Sequence, residues 1–242
     1  MPTLPILYHD HDLVAVEKPS GLPVHRGWAG DEEVALTVVR DQLGQRVHPV
    51  HRLDRGTSGV LLFALSPDMA RAMGQAFLDG LVEKTYLALV RGIPAEQGLV
   101  DHPLPPGEDS KAARVPAQTR FVRKEIFGRY CLVELSPLTG RLHQVRRHMK
   151  HLACPLIGDV NYGKGEHNRL FRSRYNLHRL FLHATRLVFP HPSSGARLDI
   201  HSPLPEELRA VLCALRSDTN STAQRGLHPA QLLSRQGGEP RQ

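Results

Sequence analysis

Hydrophobic and polar positions along the chain switch between two periods. "LVAVEKPSG" (13–21) alternates and stops at Pro-Ser-Gly, which predicts a strand entering a turn. "EEVALTVVRDQLG" (32–44) carries acids in its first turn and Gly44 after its end, as a helix does. "GVLLFAL" (59–65) is a short apolar run between turn signals, the pattern of a strand buried on both faces. In "SPDMARAMGQAFLDG" (66–80), Ser66 is placed to cap a helix and Pro67 to occupy its first position. Met69, Met73 and Phe77 then repeat at four-residue spacing. "KTYLALV" (84–90) reads as a strand ended by Gly92 and Pro94.

Residues 101–118 are rich in proline and charge and predict an exposed loop. "QTRFVRKEI" and "RYCLVEL" flank Phe127-Gly128 as a hairpin. In "LTGRLHQVRRHMKHL" (138–152), Thr139 is a candidate cap. Leu142, Val145, Met149 and Leu152 form an apolar stripe, with His143, Gln144, Arg147, Lys150 and His151 on the opposite side. "YGKGEHNR" (162–169) reads as an irregular loop. "RLFLHATRLVF" (179–189) and "ARLDIHS" (196–202) form another strand pair, and a last helix spans about 205–216. From Ser217 onward the chain is polar and patternless, so disorder is expected over 217–242. Strands and helices mix without regular βαβ alternation, and the fold class is α+β.

Composition narrows the setting. A hydrophobic content of 40% suffices for one core, and no stretch approaches the roughly 18 consecutive apolar residues of a membrane helix. The N-terminal stretch lacks the pattern of a secretory leader. Three scattered cysteines (Cys131, Cys154, Cys213) suit reduced thiols better than a disulfide framework. The expectation is a soluble, cytoplasmic protein with no membrane partner. A net charge of +7 and 15 histidines are the electrostatic footprint of a polyanion binder. The charge clusters in "GRLHQVRRHMKH" (140–151) and "HNRLFRSRYNLHR" (167–179), which predicts a phosphate-binding surface, although composition does not separate DNA from RNA.

Several kinds of chemistry are excluded by pattern. Of the clustered histidines only His148 and His151 have helical ligand spacing, and Arg146, Arg147 and Lys150 beside them repel a dication, so no metal site is expected. There is no GxxxxGK[ST], GxGxxG or GxSxG in the required context, which leaves nucleotide cofactors and a serine triad without a seat. What remains is "HRLDRGTSG" (51–59), where a single acid, Asp54, stands between Arg52 and Arg55 ahead of the buried strand. Such an acid is ordinarily a turn residue or a surface ion pair. Here small residues permit close approach of a backbone or ligand, and a nearby guanidinium counters the desolvation that would protonate the carboxylate. A rigid, ionised carboxylate beside cations suits nucleophilic or electrostatic work on a sugar carbon. Glycosidases need two carboxylates, and only one is well placed.

"HRLDRGTSGVLLFA" resembles the signature of the RluA-family pseudouridine synthases. The resemblance continues in family order through "EKTYLALVRG" (83–92), "LTGRLHQVRRHMKHLACPLIGDVNYG" (138–163) and "RLFLHA" (179–184), and covers about residues 5–205. Together with "VEKPSGLPVHRGW" and "GKGEHNRLFR", it points to the branch that modifies uridine-65 of tRNA. It implies a mixed, mainly antiparallel sheet with flanking helices and a catalytic cleft across the sheet. It further implies one catalytic domain over 1–216 without an S4 domain, an isomerase without cofactor, and RNA, foremost tRNA, as the partner of a monomer rather than DNA.

By this resemblance Asp54 is the catalytic carboxylate, acting on C1′ or taking a proton from C2′, and Arg141 pairs with it. Tyr86 stacks on the uracil, and Arg52 fills the gap left by the flipped uridine. His51, His143, Gln144 and Arg147 hold RNA phosphates or the pocket wall. On their residue types alone, Arg141 can also be read as a phosphate contact, Tyr86 as a core aromatic, and the helix polar residues as a solvated face. The alternatives are a ribosomal RNA synthase and an RNA-binding protein that kept the fold without the chemistry. The presence of Asp54, Tyr86 and Arg141 favours the enzyme.

Overall fold

The computed structural model describes residues 3–25, 33–107 and 113–224. The motif around Trp28 and the tail from 225 onward lie outside the described residues. The apolar runs assemble into one ten-stranded sheet. Its strands are β1 (Ile6–His9), β2 (Leu13–Lys18), β3 (His48–Pro49), β4 (Ser58–Ala64), β5 (Glu83–Arg91), β6 (Gln97–Asp101), β7 (Gln118–Phe127), β8 (Tyr130–Pro137), β9 (Leu182–Pro190) and β10 (Arg197–His201). The order is β1-β2-β4-β9-β5-β8-β7-β6, with β10 on β9 and β3 on β4. The pairings are antiparallel except where β4 meets β9, Ser58 opposite His183 and Gly59 opposite Ala184. This is the mixed, mainly antiparallel α+β architecture that the sequence implies.

The β4–β9 joint explains the small residues after Asp54. Gly59 sits at φ +117°, and a Cβ there would lie 2.1 Å from the carbonyl oxygen of Ala184. Only glycine allows that approach. All seven residues of β4 are buried, as its apolar run predicts. Leu61 and Phe63 pack on one face with Val14, Val16 and helix α1 (Ala35–Leu43), through Val38 and Val39. Val60 and Leu62 pack on the other face with Met69 and Met73 of helix α2 (Pro67–Leu78). Ser66 caps α2 by accepting the amide of Met69 at 3.1 Å. The strand that follows the Asp54 loop is thus fixed from both sides.

Four expectations need correction. Helix α3 (Gln144–His151) starts five residues after Thr139, and its N-terminal flank is His143 in the left-handed region at φ 52°. Thr139 instead donates to the Gln144 side chain at 2.7 Å. The supposed loop at 162–169 opens a helix, α4 (Gly165–Tyr175). It lacks a side-chain cap and is held by tertiary packing of buried His167 and Phe171, with a 2.9 Å hydrogen bond between Tyr130 and His167. The 101–118 segment is not wholly exposed, since Leu104 and Val115 form a bridge and Leu104 and Ala117 are buried. Just before it runs the unforeseen edge strand β6, in which Val100 alone is buried.

The last helix, α5 (Glu206–Gln224), runs past the expected end at 216 and into the tail expected to be disordered. Asp218 explains the extension: it accepts Tyr175 Oη at 2.7 Å and pairs with Arg174 at 3.0 Å, anchoring α5 to α4. Polar sequence without periodicity therefore still forms helix when a neighbouring element supplies partners.

Candidate active site

The Asp54 loop is held from behind. Thr57 N donates to Asp54 O at 3.0 Å, Gly21 N to Arg55 O at 2.8 Å, and Ser20 Oγ to Gly56 O at 2.8 Å. Lys18, fully buried, spends its ammonium on the carbonyls of Pro19 (2.8 Å), Leu22 (2.7 Å) and Arg55 (3.3 Å). Burial, followed by repulsion from Arg179, lowers the Lys18 pKa to about 7, against the pull of Asp54. Arg179 adds a 2.7 Å bond to Ser58 Oγ, and Ser58 in turn meets His183 Nδ1 at 2.7 Å. The side chain of Asp54 is thus carried on a backbone with little freedom to move.

Its partner is Arg146, not Arg141. Arg146 Nη1 donates to Asp54 Oδ2 at 3.1 Å, while its Nε and Nη2 grip Asp159 at 2.8 and 2.9 Å. Arg141 is exposed and donates from Nε to Pro116 O at 3.1 Å. The reason lies in the late start of α3. Residue 141 remains in the preceding turn, whereas Arg146 lies on the helix between the buried Val145 and the inward-facing polar groups. Arg141 still lines the cleft with Asp54.

Arg146 and Asp159 are candidate site residues that sequence reasoning missed, and the only signal for Asp159 was its place in "GDVNYG" after the basic helix. Asp159 is buried and also accepts the amides of Asn161 and Tyr162, each at 3.0 Å. Burial alone would raise its pKa, but the Arg146 hydrogen bonds and charge hold it below the usual carboxylate range. For Arg146, burial works against the cation and is outweighed by Asp159 and then Asp54, so its pKa rises. The bidentate grip of Asp159 fixes the plane of the guanidinium and leaves Nη1 directed at Asp54. The second carboxylate is spent on orientation.

A cleft of about 600 Å³ opens over Asp54 and is lined by His51, Arg52, Tyr86, Arg141 and His143, with Val50, Phe77, Leu142 and Leu182 as apolar wall. His143 Nε2 lies 3.8 Å from Asp54 Oδ2, and its Nδ1 is 3.1 Å from Tyr162 Oη. Tyr86, half-buried on β5, is raised in pKa by burial and then by the Asp54 charge, so its phenol stays protonated. His51 accepts the Leu62 amide at Nε2 (3.0 Å) and stacks on Phe77 at 5.2 Å. That ring is neutral: burial and then the Lys84 charge lower its pKa to about 3. Arg52 is exposed at the cleft edge.

Of the helix residues read as phosphate or wall contacts, Gln144 lines the cleft and Arg147 does not, and both have partners within the chain. Gln144 is buried, accepts Thr139 Oγ1 and the Arg141 amide (3.0 Å), and donates to Gln118 O (2.8 Å) and Thr119 Oγ1 (3.0 Å). It braces the turn that carries Arg141 and His143 rather than facing solvent. Arg147 is half-buried and ties to Pro105 O at 3.0 Å.

The cleft thus sets one carboxylate, paired to an arginine that a second carboxylate orients, beside the cationic side chains of Arg52, Lys84 and Arg141. Residues 12–151 match the family model described as RNA pseudouridylate synthase, and the chain belongs to that family. It is 42% identical over 216 residues to tRNA pseudouridine synthase C of Vibrio parahaemolyticus, covering 81% of this chain and 88% of the relative. The same-named protein of Haemophilus ducreyi is 44% identical over 224 residues, covering 84% of this chain and 92% of the relative. Among solved structures, human RNA pseudouridylate synthase domain containing 4 is similar at a TM-score of 0.69 and 29% identity, covering 87% of this chain and 92% of that one.

Proposed function

We propose that this protein converts one uridine of tRNA, uridine-65, to pseudouridine, with Asp54 as the catalytic carboxylate. The observation that carries the reading is the 3.1 Å pair between Asp54 and an arginine whose orientation Asp159 sets. The relatives named as tRNA pseudouridine synthases support the choice of RNA.

The chemistry breaks the N1–C1′ bond, with the electron pair leaving on uracil N1, and forms a C5–C1′ bond after the base turns. The C5 proton is lost and N1 gains one, so the sum is an isomerisation that needs no oxidant or reductant. Asp54 opens the reaction either by attacking C1′, giving an ester that C5 later displaces, or by taking the C2′ proton. Both routes use the carboxylate as an anion, and Arg146 Nη1 donates to it at 3.1 Å. The uridine reaches the cleft by leaving its stack, at a cost of a few kcal/mol. Tyr86 offers a protonated phenol and an aromatic face to the base. Arg52 stands at the cleft edge, where it can occupy the vacated stack. No helix among the described residues is long and apolar enough to cross a membrane.

The test is tritium release from tRNA transcribed with [5-³H]uridine, since only formation of the C5–C1′ bond displaces the label. One equivalent is expected per tRNA, and none from a transcript carrying cytidine at position 65. Release from the position-65 variant at the parent rate would contradict the site assignment, and release from ribosomal RNA alone would contradict the choice of tRNA.

A further inference from the structure

The departing uracil needs help that Asp54 cannot give. When the N1–C1′ bond breaks, the base takes the electron pair, and the negative charge spreads from N1 onto its two carbonyl oxygens. Asp54 is itself an anion and, in the proposed reading, acts on the sugar. Arg146 is committed to two carboxylates. A separate positive donor on the base side of the cleft would stabilise this charge as it develops.

Lys84 is a cation in the cleft lining. It lies on β5 two residues before Tyr86, so both side chains fall on one face of the strand, and both line the cleft over Asp54. Its closeness to the floor of the cleft is felt by His51, whose pKa it helps to depress. An ammonium has three donors. Among the described residues, the hydrogen bond formed by Lys84 Nζ goes to Thr139 O at 3.3 Å, long for such a group. Burial lowers the Lys84 pKa, and among the described residues no carboxylate is bonded to it. A partly desolvated cation that lines the cleft gains from an incoming anion.

Building on the proposed isomerase reading, we infer that Lys84 is a further catalytic residue: its ammonium hydrogen-bonds a carbonyl oxygen of the uracil and stabilises the base as it leaves C1′. No proton is transferred in this step. The N1–C1′ pair moves to the base, and the ammonium remains charged throughout.

The experiment uses single-turnover consumption of the target nucleoside, followed by chromatography of digested tRNA, with two substrates: uridine-containing and 5-fluorouridine-containing transcripts. Fluorine withdraws electrons and makes the base a better leaving group, so departure depends less on the protein's cation. Lys84→Met is expected to slow uridine consumption by about 10²- to 10³-fold, as loss of a charge-stabilising donor does, and 5-fluorouridine consumption by less than about 10-fold. Lys84→Arg keeps the charge and is expected to recover most of the uridine rate. If the methionine variant melts early, Lys84→Gln removes the charge while keeping a donor, and the same difference between substrates is expected. Equal losses on both substrates, or weaker tRNA binding with an unchanged single-turnover rate, would overturn the inference and leave Lys84 a structural or phosphate contact. An inactive parent on both RNAs would instead overturn the functional reading beneath it.

Discussion

Asp54→Asn is expected to slow pseudouridine formation at least about 10⁴-fold while leaving the protein folded and its tRNA affinity within a few-fold of the parent. The substitution keeps size and an acceptor oxygen for Arg146 Nη1, now 3.1 Å from the carboxylate. Arg146 also keeps its charge balance, because Asp159 remains on its other side. What disappears is the negative charge that either route requires at C1′ or C2′. Binding is expected to hold or tighten slightly, since phosphate contacts dominate RNA affinity and one anion has been removed from a basic cleft. Tritium release under single-turnover conditions, set beside a binding titration, separates the two effects. A variant with the parent rate would remove Asp54 from the mechanism.

The second large effect is expected at Arg146. Arg146→Lys keeps one positive charge but loses the planar fork, so the side chain can serve Asp159 or Asp54 and not both. A fall of about 10²-fold or more in the single-turnover rate is expected, by analogy with loss of a preorganised charged donor. Arg146→Met goes further and leaves the buried Asp159 unpaired. Removing one partner of a buried ion pair costs about 3–5 kcal/mol, which for a chain of this size lowers Tm by about 10 °C. Arg141→Lys is the control, expected to change the rate by less than about 10-fold, because Arg141 is exposed and bonded to a backbone carbonyl. If the Arg141 variant lost more activity than the Arg146 variant, the ion pair described here would not be the working one.

The contrast between those two arginines marks how far the sequence reached. Asp54 was legible because its surroundings are local: small residues, then the apolar run 59–65, all within eleven residues of the acid. β4 and α2 were legible for the same reason, each carrying its period and its cap in its own sequence. The partner of Asp54 depends on where α3 begins, and that start is set by Gln144 bonding across to Gln118 and Thr119, far away in the chain. A cap at Thr139 places 141 in the helix; a start at Gln144 leaves it in the turn and gives the inner position to Arg146. Asp159 was illegible because its value lies wholly in that contact. Helix α4 has no side-chain N-cap and the end of α5 no apolar periodicity, and the two are tied to each other through Tyr175 and Asp218. Gln144 was assigned to the wet face by spacing, although a buried amide with every group bonded is as much a core residue as its apolar neighbours.

The central claim is that this cleft, through Asp54, makes pseudouridine at a single tRNA position. Pseudouridine mapping of total RNA tests it most directly, comparing cells with the gene, cells without it, and cells restored with either the parent or the Asp54→Asn chain. The account predicts that uridine-65 of some tRNAs loses its modification without the gene, regains it with the parent chain, and stays unmodified with Asp54→Asn, while ribosomal sites are unchanged throughout. Restoration of the tRNA site by the Asp54→Asn chain would contradict it.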